Sequence, residues 1–198
     1  MDASLVVRPN KPDHLVVHQR TNKTNISLVA APKMLSVDKS TECHVTPDDI
    51  AFEMVSYLDD FKNKKICEPE SGTGQILQAM FDHGINASQI TAIEKQKSLT
   101  DFIKNRFIGH EKLKILNSCF IEYGFKNKNK FDAFIMNPPF KTAKKHIQTA
   151  FESLKNKGVI IALVPSTFNF EKAETLRELD KTVFKFAKVN TKIIRIIK

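Results

Sequence analysis

The stretch FDAFIMNPPFKTAKK, residues 131–145, runs an apolar segment straight into an amide, two prolines and an aromatic ring, with lysines close behind. A continuous apolar run of this length reads as a strand buried in a sheet. Proline has no N–H for a strand ladder, so the strand stops where Pro138 and Pro139 begin, and Asn137 stands at its carboxyl end.

Outward from this strand the chain alternates short apolar runs with helical periodicity. KKICEP (64–69), ITAIE (90–94), KLKILN (112–117), GVIIALVP (158–165) and TKIIRIIK (191–198) read as further strands. Helical patterns lie between them at about 74–83, at 97–108, at 144–157 and at 171–187. Ahead of them, TPDDIAFEMVSYLDDF (46–61) carries a cap-type Thr46, Pro47 for the first helical position, acids in the first turn and an apolar face of Ile50, Met54, Val55 and Leu58. The alternation predicts an α/β, doubly wound, mostly parallel sheet with helices on both faces, six strands long and lacking a seventh. In such a sheet ligands sit beyond the carboxyl ends of the strands.

The 198 residues, 41% of them hydrophobic, suffice for one sizeable core. Residues 1–40 read as an N-terminal arm or small hairpin with β-like pieces at HLVVH and ISLVA, and 41–198 as one domain without a separate target-recognition domain. No apolar stretch approaches the roughly 20 residues of a membrane span, and the polar N-terminus has no signal-peptide core, which predicts a soluble, cytoplasmic protein with no membrane partner. Cys43, Cys67 and Cys119 have no pairing or metal-ligand spacing, so no metal is expected. The formal charge of +9 favours a polyanionic partner such as nucleic acid, with a solvated lysine surface as the plainer alternative.

The strand ends carry the chemistry. The first passes from Glu68 and Pro69 through Ser71, Gly72, Thr73 and Gly74 into a helix; glycines let a backbone approach a ligand closely, and a helix start offers unpaired N–H donors. The spacing is neither that of the dinucleotide fingerprint nor that of the phosphate loop, so this turn alone is equally compatible with a simple strand-to-helix connection. The second strand ends at Glu94, about 20 residues on, where an acid can accept hydrogen bonds from a ribose diol. Asn117-Ser118-Cys119-Phe120 ends the third and Asn137 the next, so four consecutive strand ends present ligand-type residues on one edge.

With these residues in this order, the chain resembles the Rossmann-like S-adenosylmethionine-dependent amino-methyltransferases, most of all the adenine-N6 DNA methyltransferases, over about residues 43–168. Asn137-Pro138-Pro139-Phe140 matches the family's Asn/Asp/Ser-Pro-Pro-aromatic motif at every position. The resemblance implies S-adenosyl-L-methionine as cofactor. Thr46-Pro47 would lie near its methionine end, Glu68, Pro69 and the turn from Ser71 to Gly74 would hold the methionine moiety, Glu94 the ribose, and Cys119 and Phe120 the adenine. Two positions depart from the family: Cys119 stands where it usually has Asp, and His44-Val45 replace the aromatic before Thr46. With no recognition domain expected, the arm or a partner subunit would complete the substrate groove.

An exocyclic amine is a poor nucleophile because its lone pair is delocalised into the base. The Asn137 side-chain oxygen and the Pro138 carbonyl, accepting its two hydrogens, would localise that pair and align it for direct displacement. Phe140 would stack on the target base, offsetting part of the cost of flipping it out. Lys126, Lys128, Lys130, Lys141, Lys144 and Lys145 bracket the motif and could contact phosphates. The expected activity is methyl transfer to adenine N6, with DNA preferred over RNA as the partner. An RNA amino-methyltransferase acting on adenine N6 or guanine N2, and a catalytically silent binding or scaffold protein, are the rivals. His83, His110 and His146 show no ligand spacing and take no role.

Overall fold

The apolar run at 131–136 becomes an interior strand of a seven-stranded sheet. The computed structural model describes residues 45–182 and 189–198, preceded by the backbone of three short strands, β1 (Val6–Val7), β2 (His14–Val17) and β3 (Met34–Ser36), which form a small antiparallel sheet. The remainder of the arm expected over 1–40, ISLVA included, lies outside the described residues.

The main sheet comprises β4 (Ile66–Glu68), β5 (Ile90–Glu94), β6 (Lys114–Asn117), β7 (Phe131–Met136), β8 (Leu154–Pro165), β9 (Ala173–Leu179) and β10 (Thr191–Ile197), in the order β6-β5-β4-β7-β8-β10-β9. Strands β4 to β8 pair in parallel, and β10 runs antiparallel between β8 and β9. The chain winds outward from β4 to β6 and returns to β7 on the other side of β4. That reversal opens a crevice at the carboxyl ends of β4 and β7.

Helices α1 (Asp48–Ser56), α2 (Gln75–Asp82) and α3 (Lys97–Arg106) supply the first of two cores, and α4 (Phe120–Phe125) and α5 (Ala143–Ser153) the second. Interior strands therefore bury both faces: Ala133 and Ile135 enter the first core, Phe134 and Met136 the second. The rings of Phe131 and Phe134 meet edge to face at 5.2 Å, and each such fully buried side chain contributes about 1.5–3 kcal/mol. No helix among the described residues is long and apolar enough to cross a membrane.

The doubly wound architecture is as expected, but the strand count is not: seven strands are present, and the missing one hides in the predicted helix 171–187. Within it, residues 173–179 form the edge strand β9. Leu176 and Leu179, three apart, mimic a helical stripe. In the strand that spacing works because the ladder skips Leu176, passing from Thr175 opposite Ile194 to Arg177 opposite Ile193, and this bulge resets the alternation. Both leucines then pack on the first core. Residues 166–172 carry the chain from β8 to β9 without a helix, seated by Phe168 and Phe170 on the second core. The helix expected over 144–157 also ends sooner, at Ser153, and Leu154 to Lys157 start β8, where Lys155 reaches the Asp132 carboxylate at 2.8 Å.

Candidate active site

Beyond the carboxyl ends of β4, β5 and β7 lies a cleft of about 270 Å³. Its wall includes nine of the residues expected to hold a cofactor, namely Thr46, Glu68, Pro69, Ser71, Gly72, Thr73, Glu94, Cys119 and Phe120, with Asn137 and Pro139 from the proline motif. Pro47 and Gly74 do not line it, nor do Pro138, which is buried behind Asn137, or Phe140, half-buried where a 3-10 turn begins. Glu70, Gln75 and Lys95, which the sequence does not single out, also line it, as do Val45, Ser118 and His146, to which it assigns no role.

The turn after β4 is built by backbone hydrogen bonds. The Ser71 N–H donates to the Ile93 carbonyl at 3.0 Å, and Gly72 and Gly74 take left-handed φ values of 53° and 83°, which suit glycine. Gly74 also packs against Phe107, whose ring would lie 2.7 Å from an added Cβ. Arg106, at the end of α3, donates to the Thr73 carbonyl at 2.6 Å and pins the turn from behind.

Glu94 has a second duty beside the cleft. Its carboxylate accepts from the Gly72 N–H at 2.9 Å and the Gln96 N–H at 2.7 Å, bracing the turn and the start of α3, and a carboxylate has further acceptor positions beyond these two. Asn117 takes no place in the cleft wall. Its amide donates to the carbonyls of Glu94 and Lys95 and to the Thr100 hydroxyl, and so holds the β5 end in position.

At the end of β7 the Asn137 amide nitrogen donates to the Thr46 hydroxyl at 3.0 Å. Thr46 was expected to cap α1; Pro47 occupies the cap position without a side-chain bond, and the Thr46 hydroxyl, buried, serves Asn137 instead. This bond ties the α1 entry to the proline motif.

The cleft is acidic although the protein is basic. Burial pushes the Glu68 carboxyl well above the usual carboxylate range, and Glu70 beside it adds to the effect. Burial also raises Glu70, opposed by a hydrogen bond from His146, and raises Glu94, opposed by the Gln96 and Gly72 N–H groups. Glu68 is 2% exposed, and its Oε2 accepts no hydrogen bond among the described residues. Among the lining residues Lys95 is the lone lysine or arginine. An orphaned carboxylate oxygen with two more carboxylates nearby suits a cationic ligand and disfavours a phosphate.

The six lysines do not form one patch. Lys141, Lys144 and Lys145 are exposed beside the cleft residues Thr142 and His146, whereas Lys126, Lys128 and Lys130 precede β7 and lie at its opposite end, roughly 20 Å away. Lys130 donates to the Tyr123 hydroxyl at 3.0 Å and to Asn127 at 2.6 Å, and Lys128 pairs with Glu152 at 3.3 Å.

No protein-family model and no curated protein sequence matches the chain. Solved structures do. The 23S rRNA methyltransferase ErmE superposes with a TM-score of 0.62 at 14% identity, over 76% of this chain and 67% of that one. A protein assigned as the modification subunit of a type I restriction enzyme from Vibrio vulnificus gives 0.64 at 15%, over 80% of this chain; the chain spans only 45% of that subunit. An S-adenosylmethionine-dependent O-methyltransferase from Thermotoga maritima gives 0.59 at 18%, over 83% and 72%. These likenesses are of fold, and the fold is the Rossmann-like one of methyltransferases.

Proposed function

We propose that the protein is an S-adenosyl-L-methionine-dependent methyltransferase acting on an exocyclic amine of a nucleobase, with adenine N6 in DNA as the first candidate. The observation that carries this reading is the seating of Asn137, oriented by Thr46, in the same acidic cleft as Glu68 and Glu94. Glu68 offers its orphaned oxygen to an ammonium group, Glu94 its remaining lone pairs to a ribose diol, and Cys119 and Phe120 an apolar wall to a base. When bound, the cofactor supplies an electrophilic methyl group on a cationic sulfur, whose charge suits a carboxylate-lined pocket.

The chain's own residues position the acceptor. Asn137 and the Pro138 carbonyl accept the amine's two hydrogens, and the prolines restrict both groups, so little freedom is lost on binding. Phe140, next to the lining residue Pro139, stacks on the target base, at about 1–3 kcal/mol for such a contact. Lys141, Lys144 and Lys145 are the lysines placed to meet the flanking phosphates.

An RNA acceptor is the second reading, favoured by the likeness to an rRNA methyltransferase, and the fold likeness to a restriction modification subunit leaves room for a recognition partner. Incubation with methyl-labelled cofactor and separate DNA and RNA substrates, followed by nucleoside analysis, tests both. N6-methyladenine in DNA is expected; label confined to RNA selects the second reading, and label in neither rejects both. Asn137→Ala abolishes transfer with the circular dichroism spectrum unchanged.

A further inference from the structure

Glu70 follows the end of β4, and His146 is in the first turn of α5, 76 residues away; the fold brings the Glu70 Oε1 to 2.6 Å from the His146 Nδ1. Both side chains are largely buried, at 16% and 14% exposure, and both line the cleft with Asn137. A hydrophobic pair would fill this wall without the desolvation cost of a carboxylate. The Glu70 Oε2 is buried with no hydrogen-bond partner among the described residues, so the carboxylate is committed to His146 through its other oxygen.

From this geometry we infer that His146 is the proton acceptor of the methyl-transfer reaction proposed above, with Glu70 as its positioning residue. The proposal rests on that reading. A carboxylate at Nδ1 keeps the proton there, which leaves a lone pair on Nε2, and it stabilises the imidazolium that forms when Nε2 takes up a second proton. The titratable and charged groups around the imidazole are Glu70, in direct contact, Glu68 and Glu94 at the neighbouring strand ends, Lys95 at the β5 end, and Lys144 and Lys145 on its own helix, with the Phe120 ring at 6.2 Å; the carboxylates favour the imidazolium and the lysines oppose it. Glu68 and Glu94 are buried and Glu70 is largely so, whereas all three lysines are exposed to solvent.

The acceptor nitrogen gives its lone pair to the new N–C bond and becomes cationic. One of its N–H bonds then breaks; that electron pair returns to nitrogen, the proton moves to Nε2, and water later takes it from the imidazolium. Asn137 and Pro138 polarise the amine but, as neutral acceptors, cannot keep its proton. His146 supplies the missing base in the same cleft.

Two measurements test the assignment. In the protein without ligand, nitrogen-resolved NMR of His146 at alkaline pH is expected to show the Nδ1–H tautomer, lost in Glu70→Met; an Nε2–H tautomer in the wild type overturns the proposal whatever the methylation assays show. In single turnover, His146→Gln is expected to bind cofactor within about twofold of wild type while transferring methyl roughly 10²–10⁴-fold more slowly. Retention of the wild-type rate by His146→Gln overturns this proposal alone, whereas a wild type that labels neither DNA nor RNA overturns it together with the methyl-transfer reading.

Discussion

Replacing Glu68 by Gln tests the electrostatic design of the cleft. The carboxyl is 2% exposed, its Oε2 is unsatisfied, and Glu70 and Glu94 lie near it, so burial and like charge both raise its pKa in the folded protein. A folded-state pKa above the unfolded one means that the native chain retains a proton the unfolded chain releases. The stability this gives is full below the ordinary glutamate value and is lost as pH rises towards the raised one, at up to about 1.4 kcal/mol per pH unit. Gln keeps the size without the charge. The ligand-free variant is therefore expected to be more stable than wild type at pH 8, because it never bears the cost of ionising a buried carboxyl. For a chain of this size that is a rise in Tm of roughly 2–4 °C per kcal/mol. Cofactor binding should move the other way, because the sulfonium and ammonium charges favour the ionised carboxylate. Affinity in the wild type tightens as pH rises, and the variant loses a charge-assisted bond of about 1.5–3 kcal/mol, or roughly 10–150-fold. Thermal melts from pH 5 to 8 and titration calorimetry at pH 8 decide the matter. A variant that is less stable than wild type at pH 8, yet binds cofactor equally well, refutes the reasoning.

Other outcomes follow from named contacts. Thr46→Val removes the acceptor for the Asn137 amide and is expected to lower turnover about tenfold, with Thr46→Ser restoring it, as measured by steady-state kinetics. Lys144→Ala and Lys145→Ala should each reduce the slope of log affinity against log salt for nucleic acid by about 0.7–0.9, while Lys126→Ala, at the far end of β7, leaves it unchanged; filter binding at several salt concentrations reads this directly. Gly124→Ala would place a Cβ 2.4 Å from the Thr149 Cγ2 across the contact of α4 with α5, so urea melts should show a loss of about 1–3 kcal/mol that Thr149→Ser largely restores.

The strand ends were legible because they obey one-dimensional rules. Glu68, Glu94 and Asn137 each follow an apolar run, and the parallel pairing delivers them to one edge. Three features were not legible because they depend on placement across the fold. The β9 segment has good helix formers at helical spacing, and only a bulge against the apolar β10 makes it a strand. The six lysines bracket the motif in sequence, yet a whole strand length separates one trio from the other. His146 shows no ligand spacing because its partner, Glu70, is 76 residues away on a different element. Glu70 offered a faint signal: it is a second carboxylate two residues after Glu68, where the chain leaves the sheet and a charge is expensive to bury.

Two of the polar contacts at the cleft join segments far apart in sequence: Thr46 with Asn137 across 91 residues, and Glu70 with His146 across 76. Each links a segment expected at the cofactor to one expected at the acceptor. A net contribution of about 0.5–3 kcal/mol for such a bond is small beside the hydrophobic burial of a domain, which is of order 10² kcal/mol. The sheet and its two apolar cores therefore determine whether the chain folds, and the polar contacts determine the relative placement of the two halves of the site. Reaction rate is more sensitive than stability to that placement, since displacing a reacting group by about 1 Å can cost a hundredfold. Substitutions at Thr46 and His146 should accordingly separate the two properties, lowering turnover much more than Tm, whereas Phe131→Ala or Phe134→Ala, at about 3–5 kcal/mol each, should lower both together through loss of the folded protein.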